Sequence, residues 1–177
     1  MTPLTKKTTW KRLSKYFQKT FANSEGEEVG KVLGVFARAM METTPEQDLQ
    51  VFITKDEEKI VGGVMFSTLT LEGDKTAKLL SPMAVSTEVQ GKGIGQGLIN
   101  HALDILKSQG VDIAVTYGDP NFYSRVGFAQ ISEDIIKAPL PLSFPEGWLG
   151  QSLNGETLEA ISGESGCVSA LNNPSLW

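Results

Sequence analysis

Apolar and polar positions follow two different rhythms along this chain. Trp10, Leu13, Phe17 and Phe21 recur near helical spacing with lysines on the other face, which predicts a first helix. After the acidic turn "ANSEGEE", the stretch "EEVGKVLGVFARAMMETT" predicts a second helix with Val29, Val32, Leu33, Phe36 and Met40 on one side. The rhythm then changes. "DLQVFITKDEEKIVGGVMFSTLTLEGDKTAKLLSPMAV" holds three β-rich runs, Gln50–Thr54, Ile60–Leu71 and Ala77–Val85, separated by the polar turns "KDEEK" and "EGDK". These predict an antiparallel meander. Ile94, Leu98, Ile99, Ala102, Leu103 and Leu106 form a helical stripe that ends at Gly110. "VDIAVTY" predicts a buried strand, "DPNFYSRVG" a turn with a short helix, and "FAQIS" the start of another strand.

"APLPLSFPEG" reads as an extended connector, because its prolines lack the N–H that a helix or central strand needs. In "WLGQSLNGETLEAIS", Asn154–Gly155 between two alternating runs predicts a hairpin. The order of elements predicts one domain over residues 1–177, with a core at about 10–153 and a hairpin and tail at 154–177. Its class is a mixed α/β (α+β) fold with a mostly antiparallel sheet.

Composition changes this picture little. The chain has 177 residues, 40% hydrophobic and 21% charged, which suits one globular domain. Charge is uneven: the net is −5, yet Lys6, Lys7, Lys11, Arg12, Lys15 and Lys19 stand without an acid in the first twenty residues. A basic start suits a targeting peptide or the polar face of the first helix, and the missing apolar signal core favours the helix. The acidic remainder argues against nucleic acid as a partner. The single cysteine, Cys167, suits a reducing compartment, so the expectation is a cytoplasmic protein with no membrane partner. One histidine, His101, and one cysteine serve neither a metal site nor a cysteine nucleophile.

"VQGKGIGQGL" places four glycines in ten positions, after a strand and before a helix. Neither the Walker A loop nor the dinucleotide fingerprint fits: Gly91–Lys92 is followed by Gly93, and the sixth position of G-x-G-x-x-G is Gln96 or Leu98. A helix start still offers free N–H groups and the positive end of a dipole, and glycines let an anion approach them. A tight turn with close helix–sheet packing is the other reading. Pro82 in "LLSPMAV" marks an edge or bulge, which would free the amides of Met83, Ala84 or Val85. Strand amides beside a phosphate seat suit a polar chain joined to a pyrophosphate, the shape of coenzyme A.

"QGKGIG", Gln90 to Gly95, resembles the Q/R-x-x-G-x-G/A motif of the GCN5-related N-acetyltransferase (GNAT) family. "LLSPMAV" is similar to that family's fourth strand, "GIGQGLINHALDILKSQG" to its third helix and "FYSRVGF" to its Y-x-x-x-G-F segment. "YGDPNFYSRVGF" and "PEGWLGQSL" resemble a bacterial subgroup of predicted acetyltransferases. The resemblance implies a sheet splayed between the family's fourth and fifth strands, helices on both faces, and acetyl transfer from acetyl-CoA to an amine without an acyl-enzyme.

It also implies site residues. Gln90, Gly91, Lys92, Gly93, Ile94, Gly95 and Gln96 would bind pyrophosphate, and Met83, Ala84 and Val85 the pantetheine arm and thioester carbonyl. Tyr123 would be the general acid, with Phe122 packing on the cofactor. Some members carry a glutamate base where this chain has Leu79, so Asp119, or a water chain, becomes the candidate. Glu25, Glu27 and Glu28 would attract a cationic acceptor, a small molecule or peptide amine, or simply form a solvated loop. Transfer of a longer acyl group, a non-catalytic acyl-CoA sensor, and a monomer or homodimer stay open.

Overall fold

The computed structural model describes residues 7–177; Lys6, and the side chain of Lys7, lie outside what is described. Among the described residues, four α-helices, α1 (Lys7–Glu25), α2 (Glu27–Thr43), α3 (Ile94–Ser108) and α4 (Pro120–Tyr123), accompany six strands. The strands are β1 (Leu49–Asp56), β2 (Lys59–Leu69), β3 (Ala77–Val85), β4 (Ile113–Tyr117), β5 (Ala129–Gln130) and β6 (Trp148–Ser152). They form one mixed, mostly antiparallel sheet in the order β1-β2-β3-β4-β6-β5. The chain gathers into two compact units, one running through Phe66 and resuming at Pro82–Ile99, the other made of Ser67–Ser81 and Asn100–Trp177.

In the first unit, a two-residue turn at Glu57 and Glu58, with Glu57 at φ 52°, closes the β1–β2 hairpin. Adjacent glycines of β2 then face opposite ways, as the pleat requires. A methyl group on Gly63 would lie 3.2 Å from Phe17 and 3.5 Å from Leu13 of α1, whereas one on Gly62 would lie 3.3 Å from Leu98 and 3.5 Å from Ile94 of α3. Helices therefore cover both faces of β2. Leu13, Phe17, Phe52 and Phe66 are fully buried.

The face of α2 is only partly the expected one: Phe36 and Met40 are buried and Leu33 half-buried, but the two valines are not. Val29 and Val32 are exposed, as is Val35, while Gly30, Gly34, Phe36, Ala37, Met40 and Met41 are buried. Two glycines let the helices meet closely: a Cβ on Gly30 would lie 2.6 Å from the Ala22 Cβ, and one on Gly34 would lie 2.7 Å from the Gln18 Cβ. Small residues, not valines, make this contact.

In the second unit, β3 and β4 run parallel from Ala77↔Ile113 to Leu80↔Thr116; the last β3 residues, Pro82–Val85, belong to the first unit. The predicted C-terminal hairpin does not form. Asn154–Gly155 does turn, with Gly155 at φ 80°, and the Asn154 side chain accepts from the Glu156 N–H at 2.9 Å. No strand follows, because β6 already pairs with β4 on one side and β5 on the other. A returning partner has no free edge to join.

Candidate functional site

The glycine stretch lies in the first unit, between β3 and α3. Ser86 donates its N–H to the Val61 carbonyl at 2.9 Å, a 3-10 turn spans Thr87–Val89, and the Gln90 Nε2 donates back to the Val85 carbonyl at 3.1 Å. Gln90 thus ties the loop to the end of the strand. Gly91 and Gly93 both have φ of 78°, with nothing within 4 Å of where a Cβ would stand. This left-handed backbone favours glycine, and the space above it is open. The first helical bond runs from the Gly97 N–H to the Gly93 carbonyl at 2.9 Å. The preceding amides, including Ile94, Gly95 and Gln96, have no partner one turn back. The first turn of α3 carries no acid, whereas α2 begins with Glu27 and Glu28. The positive end of the α3 dipole is therefore not offset by an acid of its own first turn. Lys92 is exposed beside it.

Upstream, Met83 and Val85 are half-buried and Ala84 is buried. The Tyr16 hydroxyl of α1 donates to the Ala84 carbonyl at 3.4 Å and accepts from the Ser86 hydroxyl at 3.4 Å. Burial pushes the Tyr16 phenol up. Tyr16 also lines a cleft of about 590 Å³, with Arg12, Lys15 and Lys19 among its residues, Asp56 from the end of β1, and Glu57 and Glu58 from the β1–β2 turn. Lys59 and Glu88 pair there at 2.7 Å; the pair raises the lysine and lowers the glutamate from their ordinary values. The sequence shows the basic residues of α1 and the polar turn "KDEEK" as separate clusters, and the fold brings them to one cleft. Glu25, Glu27 and Glu28 are exposed; Glu28 pairs with Lys31 at 3.8 Å, and Glu27 and Glu28 complement the α2 dipole.

The second unit holds the tyrosine segment. Asp119 caps α4, its Oδ1 accepting from the Asn121 N–H at 2.9 Å, and Pro120 occupies the first turn, where no donor is needed. The Tyr123 N–H then reaches the Asp119 carbonyl at 3.1 Å, and Phe128 returns its own N–H to the Tyr123 carbonyl at 3.2 Å. Between them Gly127 turns the chain at φ 90°, so "DPNFYSRVG" is the turn with a short helix that its sequence predicts. The Tyr123 ring meets Phe122 and Phe128 edge to face, with centroids 5.0 and 5.8 Å away.

Tyr123 as a whole residue is half-buried, and its phenol is pushed up to about 12, chiefly by burial. A hydrogen bond with the Thr116 side chain works against that rise, and the Asp119 charge adds to it. The Thr116 hydroxyl donates to the Leu80 carbonyl at 3.0 Å at the end of the parallel ladder. Thr116 escaped the sequence reading, although a threonine inside the apolar run "VDIAVTY" was its visible trace. Leu79 is buried and pairs with Val115, so no carboxylate occupies that position. Cys167 is half-buried and its thiol is raised by burial, the opposite of an activated nucleophile.

Comparison with known proteins accords with this geometry. Residues 47–130 match the model of the acetyltransferase (GNAT) domain. The uncharacterized N-acetyltransferase YhbS of Escherichia coli K12 is 36% identical over 94 residues, which cover 52% of this chain and 56% of that protein. The chain thus spans little more than half the length of that relative. The uncharacterized N-acetyltransferase YjhQ of the same strain is 30% identical over 123 residues, 66% of this chain and 67% of its own. Two solved structures share the fold. The crystal structure of YhbS from Escherichia coli in complex with CoA superposes with a TM-score of 0.72 at 23% identity, covering 90% of this chain and 87% of that one. A GNAT family acetyltransferase from Brucella melitensis in complex with acetyl-CoA gives 0.69 at 19% identity, covering 96% of each chain. Sequence identity that extends over two thirds of YjhQ, on a fold common to both crystal structures, establishes descent: the chain belongs to the GNAT family.

Proposed function

We propose that this protein transfers the acetyl group of acetyl-CoA to a primary amine by direct attack, with no acyl-enzyme. The observation that carries the reading is the open pair of left-handed glycines, Gly91 and Gly93, ahead of a helix start without an acid. Bound acetyl-CoA supplies a thioester whose acetyl group passes to the amine as CoA leaves. The amides from Gly91 to Gln96 hold the pyrophosphate, with Gln90 fixing the loop and Lys92 in reach of phosphate. Main-chain groups of Met83, Ala84 and Val85 hold the pantetheine arm, and one of their amides polarises the carbonyl, a role worth roughly 3–4 kcal/mol.

Tyr123 gives its phenolic proton to the departing sulfur, and Phe122 packs against the bound arm. With its pKa at about 12, Tyr123 carries that proton throughout the neutral range. A free amine of pKa about 10.4 is unprotonated only about once in 2,500 at pH 7, so its proton must be removed before attack. Asp119 takes it through water, since its Oδ1 is engaged in the cap and its second oxygen is left to act. Glu25, Glu27 and Glu28 draw the cationic acceptor toward the molecule.

Thermal unfolding with acetyl-CoA, CoA and ATP tests the first half of the proposal. Both CoA species are expected to raise Tm and ATP is not. No shift with either CoA species at millimolar concentration would remove the phosphate seat and the activity with it. Thiol release on adding amines tests the second half: Tyr123→Phe should lower kcat about a hundredfold with the acetyl-CoA KM unchanged.

A further inference from the structure

Gly118 precedes the Asp119 cap, and its lack of a side chain needs a reason. A glycine is required where φ is positive or where another group comes too close for a Cβ. Gly118 is not among the positive-φ glycines, so its backbone conformation is open to any residue. Space is the remaining reason. A Cβ built on Gly118 would lie 2.7 Å from Tyr123 Cε2, and its next neighbours, Cδ2 at 3.4 Å and Cζ at 3.7 Å, belong to the same ring. The three nearest atoms are all Tyr123.

The ring has few ways to yield. Phe122 and Phe128 meet it edge to face, and its own N–H is held by the Asp119 carbonyl at 3.1 Å. Gly118 is itself pinned, its N–H donating to the Gly147 carbonyl at 3.0 Å. We infer that Gly118 is a positioning residue: the bare Cα is the surface against which the Tyr123 ring lies, and it fixes where the phenolic oxygen is presented. This rests on Tyr123 acting as the proton donor. A methyl group at residue 118 swings the ring aside and misplaces the hydroxyl, while Gly91, Gly93 and the strand amides stay as they are.

The test is a double-mutant cycle of Gly118→Ala and Tyr123→Phe, read by steady-state kinetics on the full chain. Gly118→Ala alone should lower kcat about tenfold or more with the acetyl-CoA KM within about twofold, since a 1 Å misplacement costs up to about a hundredfold. In the Tyr123→Phe background the same change should cost less than about twofold further. An equal loss in both backgrounds overturns the inference, because Gly118 would then act on something other than the phenol. Wild-type kcat in Tyr123→Phe alone would instead overturn the proton-donor reading on which it rests.

A second cycle separates misplacement from failure to fold. Gly118→Ala should lower Tm by several degrees in the wild type and by much less beside Tyr123→Ala, where no ring remains to be displaced. An equal drop in both, or failure to fold in both, places the need for glycine in the backbone and overturns the inference.

Discussion

Replacing Gly93 by alanine separates the cost of a strained backbone from the loss of a ligand seat. At φ 78° an alanine pays roughly 1–2 kcal/mol to stay in the left-handed region. Its Cβ meets no atom within 4 Å, so no clash adds to that cost. Stability should therefore fall by about 1–2 kcal/mol, or Tm by about 2–8 °C for a chain of this size. Affinity carries its own penalty. Strain that the loop sheds by relaxing is returned when the pyrophosphate forces the loop back, so the losses in stability and in binding together sum to about 1–2 kcal/mol and affinity falls by at most about 5- to 30-fold.

Gly93→Val adds bulk in the open space itself and should weaken binding further. Gly97→Ala is the matched control. Gly97 lies in α3 without a positive φ and with nothing within 4 Å, so alanine should leave CoA binding alone and stabilise the helix by up to about 1 kcal/mol. Isothermal titration with CoA, alongside urea unfolding of each variant, reads both quantities. Wild-type CoA affinity in Gly93→Val would refute the assignment of these amides to the phosphate.

Gly30→Ala sets two effects of opposite sign against each other. Helix propensity favours alanine by about 1 kcal/mol, yet its Cβ would stand 2.7 Å from the Ala22 N and the Gln18 O, backbone atoms that cannot swing away. Overpacking should win by about 1–3 kcal/mol in urea unfolding, and a stabilised variant would deny the close α1–α2 contact. Asp112 supplies an acid-sensitive clamp. Its carboxylate accepts from the Thr76 N–H at 2.9 Å and the Asn154 Nδ2 at 3.1 Å, which hold its pKa below the usual 3.8, the Thr76 N–H most of all. A depressed carboxyl contributes stability above its unfolded pKa that is lost as pH falls through the folded value. Tm should fall more steeply below pH 3.8 in the wild type than in Asp112→Asn, and parallel curves would contradict the clamp.

What was legible in the sequence was local. The turn at Gly91–Gly93 and the Tyr123–Gly127 spacing are short-range devices, and each formed where its residues foretold. What escaped depends on partners distant along the chain. Periodicity counts Val29 and Val32 as a face and treats Gly30 and Gly34 as blanks, yet a helix that must approach another within van der Waals reach buries the blanks. Alternation after Trp148 promised a hairpin, but alternation says nothing of which edges are taken. Thr116 and Gly118 both meet a ring five or more residues on, so neither carries a motif of its own.

The place of β6 has a further consequence, in the order in which the molecule can be made. β5 is synthesised before β6 but touches the sheet through it, since Ala129 and Gln130 pair with Gly150 and Leu149. Until Ser152 has emerged, the edge of β4 from Ile113 to Tyr117 stands uncovered, and β5 has nowhere to dock. An unpaired apolar strand edge is a template for other chains. A nascent chain paused within "APLPLSFPEG" therefore still presents that edge, and the last strand of the sheet covers it and gives β5 its partner in one step.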